Sequence, residues 1–169
     1  DHAEMVRKSV AMLKKAVNVA EAEGVTLAIE NHIDFTSLEI IQILEGVGSE
    51  NLKVNLDTGN ALRLFEDPVQ AARNLAVHCV ATHTKDITFR KGGVPTERFT
   101  SWPSVPAGEG VIDLPAIARV LVDAGFEGSL AIELDLLAAP YNERTEEENV
   151  RQSIEYLKKI RADIELGRA

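Results

Sequence analysis

Four short apolar segments of the chain each end on a side chain that can hold a divalent cation. Val25-Thr26-Leu27-Ala28-Ile29 runs into Glu30, Lys53-Val54-Asn55-Leu56 into Asp57, Cys79-Val80-Ala81-Thr82 into His83, and Leu130-Ala131-Ile132 into Glu133. Two glutamates, one aspartate and one histidine form a hard oxygen and nitrogen donor set, suited to Mn, Mg, Co or Zn. In a parallel α/β barrel the carboxyl ends of the strands converge on one face, where active sites lie. The pattern therefore predicts a single site built from Glu30, Asp57, His83 and Glu133. Each donor also has a plainer role open to it. A lone Glu at a strand end can turn to solvent, and Asp57 can shape the Asp57-Thr58-Gly59-Asn60 turn. His78 precedes the strand that ends at His83 and is expected on the surface.

The elements that must position these donors are legible from periodicity and capping signals. Residues 3–23 read as an amphipathic helix, with Val6, Val10, Leu13, Val17 and Ala20 on one face and Gly24 as its stop. Thr36-Ser37-Leu38-Glu39 is a capping box for a helix through about Glu45, closed by Gly46 and Gly48. Asp67-Pro68 opens a helix through about Ala76. A long loop over 87–112 follows the third strand, and loops of that length in a compact domain are usually functional. Asp113 caps the next helix, which Gly125 ends. The fourth strand closes near Asp135, and a charged helix spans about 145–165. Strand and helix alternate throughout, which argues for a parallel sheet with helical crossovers in one domain, residues 1–169. No Gly-x-Gly-x-x-Gly turn, Gly-x-Ser-x-Gly elbow or phosphate-cradling P-loop is present.

Bulk properties exclude several classes. The formal net charge of −9 argues against nucleic-acid binding, which needs Lys and Arg to displace counterions. No apolar run approaches the roughly 18–20 residues of a membrane span. The single cysteine, Cys79, rules out an internal disulfide and suits a reducing, cytoplasmic setting; it reads as a small buried side chain rather than a nucleophile.

The segments Ala28-Ile29-Glu30-Asn31-His32, Asn55-Leu56-Asp57-Thr58-Gly59-Asn60, His83-Thr84-Lys85-Asp86, Gly108-Glu109-Gly110-Val111-Ile112-Asp113 and Ala124-Gly125-Phe126-Glu127-Gly128 occur in that order over nearly the whole chain. Together they resemble the xylose isomerase-like TIM barrels. That group includes sugar phosphate isomerases and epimerases, ketose 3-epimerases, hydroxypyruvate isomerase, inosose dehydratase and the endonuclease IV type of repair enzyme. The resemblance implies an α/β fold, a (β/α)8 TIM barrel, of which this chain holds the C-terminal half, strands five to eight. A whole barrel takes roughly 250 residues. The missing strands imply a piece of a longer protein, a half-barrel that forms a homo-oligomer, or association with a separate N-terminal half.

The resemblance also implies one divalent metal, Mn first, held by Glu30, Asp57, His83 and Glu133. It would bind the carbonyl and neighbouring hydroxyl of a small polyhydroxylated substrate and stabilise an enediolate as a proton leaves the adjacent carbon. Glu30 and Glu133 are the expected catalytic pair, working from opposite faces of the substrate. His32, Asn60, Lys85, Arg90 and Trp102 are the expected substrate contacts. Asn60 stands where several relatives carry His, and Lys85 alternatively pairs with Asp86. Arg90, with Lys91 and Arg98, would meet a phosphate or carboxylate. Trp102 would wall the pocket or anchor the loop. The implied activity is isomerisation or epimerisation of a sugar or sugar-derived keto compound. A lyase acting on a keto-sugar acid is second, and a non-catalytic half-barrel third. A repair nuclease fits poorly, because the chain is acidic and has four histidines.

Overall fold

The computed structural model describes residues 1–167. Helix α1 (His2–Glu23) is capped by the Asp1 side chain and stopped by Gly24 at φ 65°, a left-handed conformation that favours glycine. Strand β1 (Leu27–Glu30) leads to α2 (Ser37–Val47), whose capping box is formed as expected. Glu39 accepts from the Thr36 backbone N–H at 2.9 Å, and Thr36 Oγ1 accepts from the Glu39 N–H at 3.4 Å. Gly48 ends this helix at φ 70°. Gly46 does not close it but lies within it, against the expectation. A Cβ there would come within 2.8 Å of Val10 Cγ2, so the bare backbone lets α1 pack closely on α2.

Strand β2 (Leu52–Asp57) lies between β1 and β3 (Cys79–His83), parallel to both. Between β2 and β3 run the single-turn α3 (Asn60–Arg63), α4 (Pro68–Leu75) and a 3-10 turn over Ala76–His78. The alternation of β2 is plain. Leu52, Val54 and Leu56 are buried in the core, while Lys53, Asn55 and Asp57 point to the other face of the sheet. Register places Asp57 opposite His83 and Glu30 opposite Asn55, so the donors at the strand ends share that second face.

After His83 the chain makes β4 (Asp86–Ile87) and β5 (Ser104–Val105), an antiparallel pair within the predicted long loop. Helix α5 (Leu114–Asp123) and α6 (Glu146–Glu165) complete the order. The expected fourth strand is reduced to one parallel bridge, Thr84 to Ile132. Its two hydrogen bonds run from Thr84 N to Ala131 O at 2.6 Å and from Glu133 N to Thr84 O at 3.1 Å. The ladder shrinks because the Thr82 hydroxyl replaces backbone, accepting from Ala131 N and donating to Ser129 O. Among the described residues no strand flanks this segment on its other side, and β1 pairs only with β2.

Two open edges result. Ala28 and Ala81, on the face of Glu30 and His83, are exposed. An apolar groove of about 540 Å³ lies between α5, α6 and the Phe126–Ile132 stretch. No helix among the described residues is long and apolar enough to cross a membrane.

Candidate metal centre

Parallel pairing brings the carboxyl ends of β1, β2, β3 and the Glu133 segment together. One donor atom each from Glu30, Asp57, His83 and Glu133 falls within 4.8 Å of all the others. His83 is central, its Nδ1 lying 3.3 Å from Glu30 Oε1 and 2.9 Å from Glu133 Oε2. Asp57 divides its work between its two oxygens. Oδ1 accepts from the N–H groups of Gly59 and Asn60 at 2.8 and 2.7 Å, which builds the turn after β2. Oδ2 is left for the cluster, so the turn-shaping and ligand roles coexist in one side chain. Asn31 fixes this strand end by donating to Asp57 O at 2.9 Å and accepting from Asp57 N at 2.8 Å. Three donor atoms, Asp57 Oδ2, His83 Nδ1 and Glu133 Oε2, are buried and make no hydrogen bond, although Lys85 Nζ forms an ion pair with the first and the other two face each other at 2.9 Å. Such atoms are rare unless something binds them.

Lys85, expected at the substrate, is 1% exposed and sits beneath the cluster. Its Nζ is 3.1 Å from Asp57 Oδ2, 2.8 Å from Glu133 Oε1 and 3.2 Å from Asp135 Oδ2. Neither does it pair with Asp86, whose oxygens are occupied by backbone N–H groups of Ile87, Gly108, Gly110 and Ile112. Burial tends to neutralise both members of the Lys85–Asp57 pair. The carboxylates of Asp57, Glu133 and Asp135 outweigh it at the lysine and raise its pKa, so the proton stays on the ammonium. For Asp57, burial is the largest influence and pushes its carboxyl up, against Lys85 and the turn N–H groups.

Asn60 lies inside the site, buried, with Nδ2 3.3 Å from Glu30 Oε1. His32 is at the rim, its ring 5.9 Å from that of Phe99 and its Nδ1 3.5 Å from Asp34. Trp102 anchors the loop. Its indole donates to Pro95 O at 3.1 Å and packs on Phe89 at 4.8 Å between centroids. Arg90 is exposed and forms no ion pair among the described residues, while its backbone N–H donates to Ser101 O at 2.9 Å. His78 is half-buried at the amino end of β3, away from His83. Cys79 is buried as expected, and burial pushes its thiol pKa up.

Three contributors escaped the sequence reading. Asn55 Nδ2 is 3.0 Å from His83 Nε2. Arg63 is fully buried and donates to Asn60 Oδ1 at 3.1 Å, Asp135 Oδ2 at 3.0 Å and Trp102 O at 2.8 Å. Asp135 in turn holds Lys85 and accepts from Ser104 Oγ. Burial raises the Asp135 carboxyl, but hydrogen bonds from Arg63 and Ser104 and the Lys85 charge overcome it and hold the pKa at about 2. A carboxyl depressed in the folded state stabilises above its unfolded value and loses that contribution as pH falls through the folded one. Unfolding by urea between pH 5 and 2 is therefore expected to show a steeper loss of stability for the native chain than for Asp135→Asn.

Residues 1–160 match the family described as Xylose isomerase-like TIM barrel. The uncharacterized protein YihM of Escherichia coli (strain K12) is 26% identical over 134 residues, covering 75% of this chain and 39% of YihM. The crystal structure of D-psicose 3-epimerase with D-tagatose from Clostridium cellulolyticum H10 is similar with a TM-score of 0.72 at 22% identity, covering 96% of this chain and 57% of the epimerase. The IOLI protein with a binding zinc atom gives a TM-score of 0.72 at 22% identity, covering 95% of this chain and 57% of that one. At these identities the two structures establish likeness of fold. The chain spans about half the length, or less, of these proteins.

Proposed function

From the premise that this chain belongs to the xylose isomerase-like TIM barrel family and covers part of such a barrel, we propose that it carries the metal centre of a sugar isomerase or epimerase. The reaction is proton transfer next to the carbonyl of a small sugar or sugar-derived keto compound. The observation that carries this reading is the cluster of four donors within 4.8 Å, in which the buried His83 Nδ1 and Glu133 Oε2 face each other at 2.9 Å without a hydrogen bond.

Glu30, Asp57, His83 and Glu133 suit a divalent ion because they offer three hard carboxylates and one imidazole. Mn is the first candidate, and the zinc atom named for the IOLI protein supports a divalent ion here. A bound ion supplies Lewis-acid polarisation of a carbonyl oxygen. The side chains supply the rest. Asp57 is clamped by its turn, and Lys85 offsets part of the negative charge that three carboxylates would otherwise bring together. Glu30 and Glu133 enter from separate segments on either side of His83. One carboxylate takes the proton from the carbon beside the carbonyl and the other returns it. Asn60 orients Glu30 through its amide nitrogen while Arg63 holds the amide oxygen.

The open edges of β1 and of the Glu133 segment fit part of a barrel, which we read as its C-terminal half. Among the described residues five helices of two turns or more, α1, α2, α4, α5 and α6, flank the strand segments. Two copies would bring twice that number to a ring with room for about eight. The better partner is a complement of four strands joined by three helices.

Calorimetric titration of the metal-stripped chain with Mn²⁺ tests the reading. Saturation near one ion per chain is expected, with affinity falling more than about 100-fold in Glu30→Gln/Asp57→Asn, since even supporting residues cost 10–100-fold. A folded chain that binds no Mn²⁺ would sink the proposed centre. With keto-sugars, an isomer or epimer is the expected product; release of water or carbon dioxide would indicate a lyase instead.

A further inference from the structure

We propose that Asn55 is a positioning residue whose amide sets which nitrogen of His83 carries the proton, and so makes the imidazole available to a metal. The inference rests on the metal-centre reading above and concerns a residue outside the donor set.

Three observations on the donor-bearing face of β2 and β3 support it. Asn55 Nδ2 lies 3.0 Å from His83 Nε2. Asn55 Oδ1 is buried with no hydrogen-bond partner. On the far side of the ring, His83 Nδ1 has no hydrogen bond and faces Glu133 Oε2 at 2.9 Å and Glu30 Oε1 at 3.3 Å.

An amide offers a donor and an acceptor of nearly the same shape, and a half-turn exchanges them. With Nδ2 toward the ring, Asn55 donates to the Nε2 lone pair. The single proton of neutral imidazole then sits on Nδ1, directed at the two carboxylates. With Oδ1 toward the ring, Asn55 accepts an Nε2–H instead. The Nδ1 lone pair then points into the cluster, and the orphaned Oδ1 gains its partner. Metal-bound histidines almost always donate their other ring N–H in this way. Asn55 thus serves the metal-free centre in one orientation and the loaded centre in the other. Aspartate could serve only the second, and leucine neither.

The test uses Zn²⁺, which is diamagnetic, at pH 8. Long-range proton–nitrogen correlation spectra of the full chain locate the His83 proton, with His83→Gln assigning the signals. The expected result is a proton on Nδ1 without zinc and on Nε2 with it. In metal-free Asn55→Asp the proton should already be on Nε2, and calorimetry should show zinc affinity at least equal to the native value. Asn55→Leu should bind zinc about 10–100-fold more weakly. Native affinity in Asn55→Leu, or the same tautomer in the metal-free native and Asn55→Asp chains, would overturn the proposal. If the native chain binds no zinc, the metal reading fails, and the tautomer comparison between the two metal-free chains still decides the role of Asn55.

Discussion

Replacing Lys85 with methionine is expected to destabilise the metal-free chain by about 3–5 kcal/mol, and a divalent ion is expected to recover part of that loss. The side chain is 1% exposed, so methionine fills the space but removes the charge. Asp57, Glu133 and Asp135 would then face one another across a site that has lost its common cation. Breaking a buried charge network from one side leaves the remaining charges uncompensated, which is why the cost exceeds that of a surface pair. For a chain of this size the loss corresponds to a midpoint fall on the order of 10 °C. The native ammonium also repels an incoming ion. Without it, the ion binds more tightly, and binding to the folded state stabilises by about 2.7 kcal/mol at one hundred times its dissociation constant. Thermal unfolding with and without Mn²⁺ should therefore show a larger metal-induced rise for Lys85→Met than for the native chain. Equal rises would show that Lys85 and the ion do not share the field of the same carboxylates.

That network marks the limit of what local sequence conveys. The four donors were legible because each ends an apolar run, and a parallel sheet carries such ends to one face. Helix starts were equally plain, since Thr36 with Glu39 and Asp67 with Pro68 are short-range signals whose hydrogen bonds close within one turn. Asn55 and Asp135 left a fainter trace. Each lies two residues from a donor, Asp57 and Glu133, and the period of a strand puts it on the same face. Arg63 left none. It follows a turn on a single-turn helix, where an arginine is ordinarily solvated. Its burial comes from Asp135, 72 positions later, and from the Trp102 carbonyl. The fourth strand failed in the opposite sense. Residues 130–133 have strand-like composition, but composition does not reveal whether a neighbour is there to pair with. Lys85 was misplaced because a lysine after a strand end resembles a ligand for an anion until the carboxylates around it are known.

Asp86 and Gly110 supply the second large effect, in a part of the molecule that holds the loop to the barrel wall. Asp86 is 2% exposed, and its oxygens accept from the N–H groups of Ile87, Gly108, Gly110 and Ile112 at 2.9–3.1 Å. Alanine at this position would strand the N–H groups of Ile87 and Ile112 in the interior and leave those of Gly108 and Gly110 to water. Each stranded N–H costs about 1–3 kcal/mol if nothing replaces the carboxylate, so a total near 4 kcal/mol is expected after partial relaxation. Gly110→Ala attacks the same arrangement from the other side. Its Cβ would lie 2.0 Å from Asp86 Oδ1 and 2.4 Å from Ile87 O, so the loop must move away and release its N–H groups. The loop is tied further to the 3-10 turn over Tyr141–Glu143 and to α6, since Glu109 accepts from the Tyr141 hydroxyl at 2.9 Å and from Gln152. The two substitutions therefore break one structure twice. A double-mutant cycle read by urea unfolding is expected to fall short of additivity by about 1–3 kcal/mol, the range for residues sharing a hydrogen-bond network. Part of the shortfall is steric, because removing the Asp86 carboxylate clears half of the clash at position 110. Additive losses, within about 0.5 kcal/mol, would show that the loop keeps its path without the carboxylate and that Gly110 is required for the Ile87 contact alone.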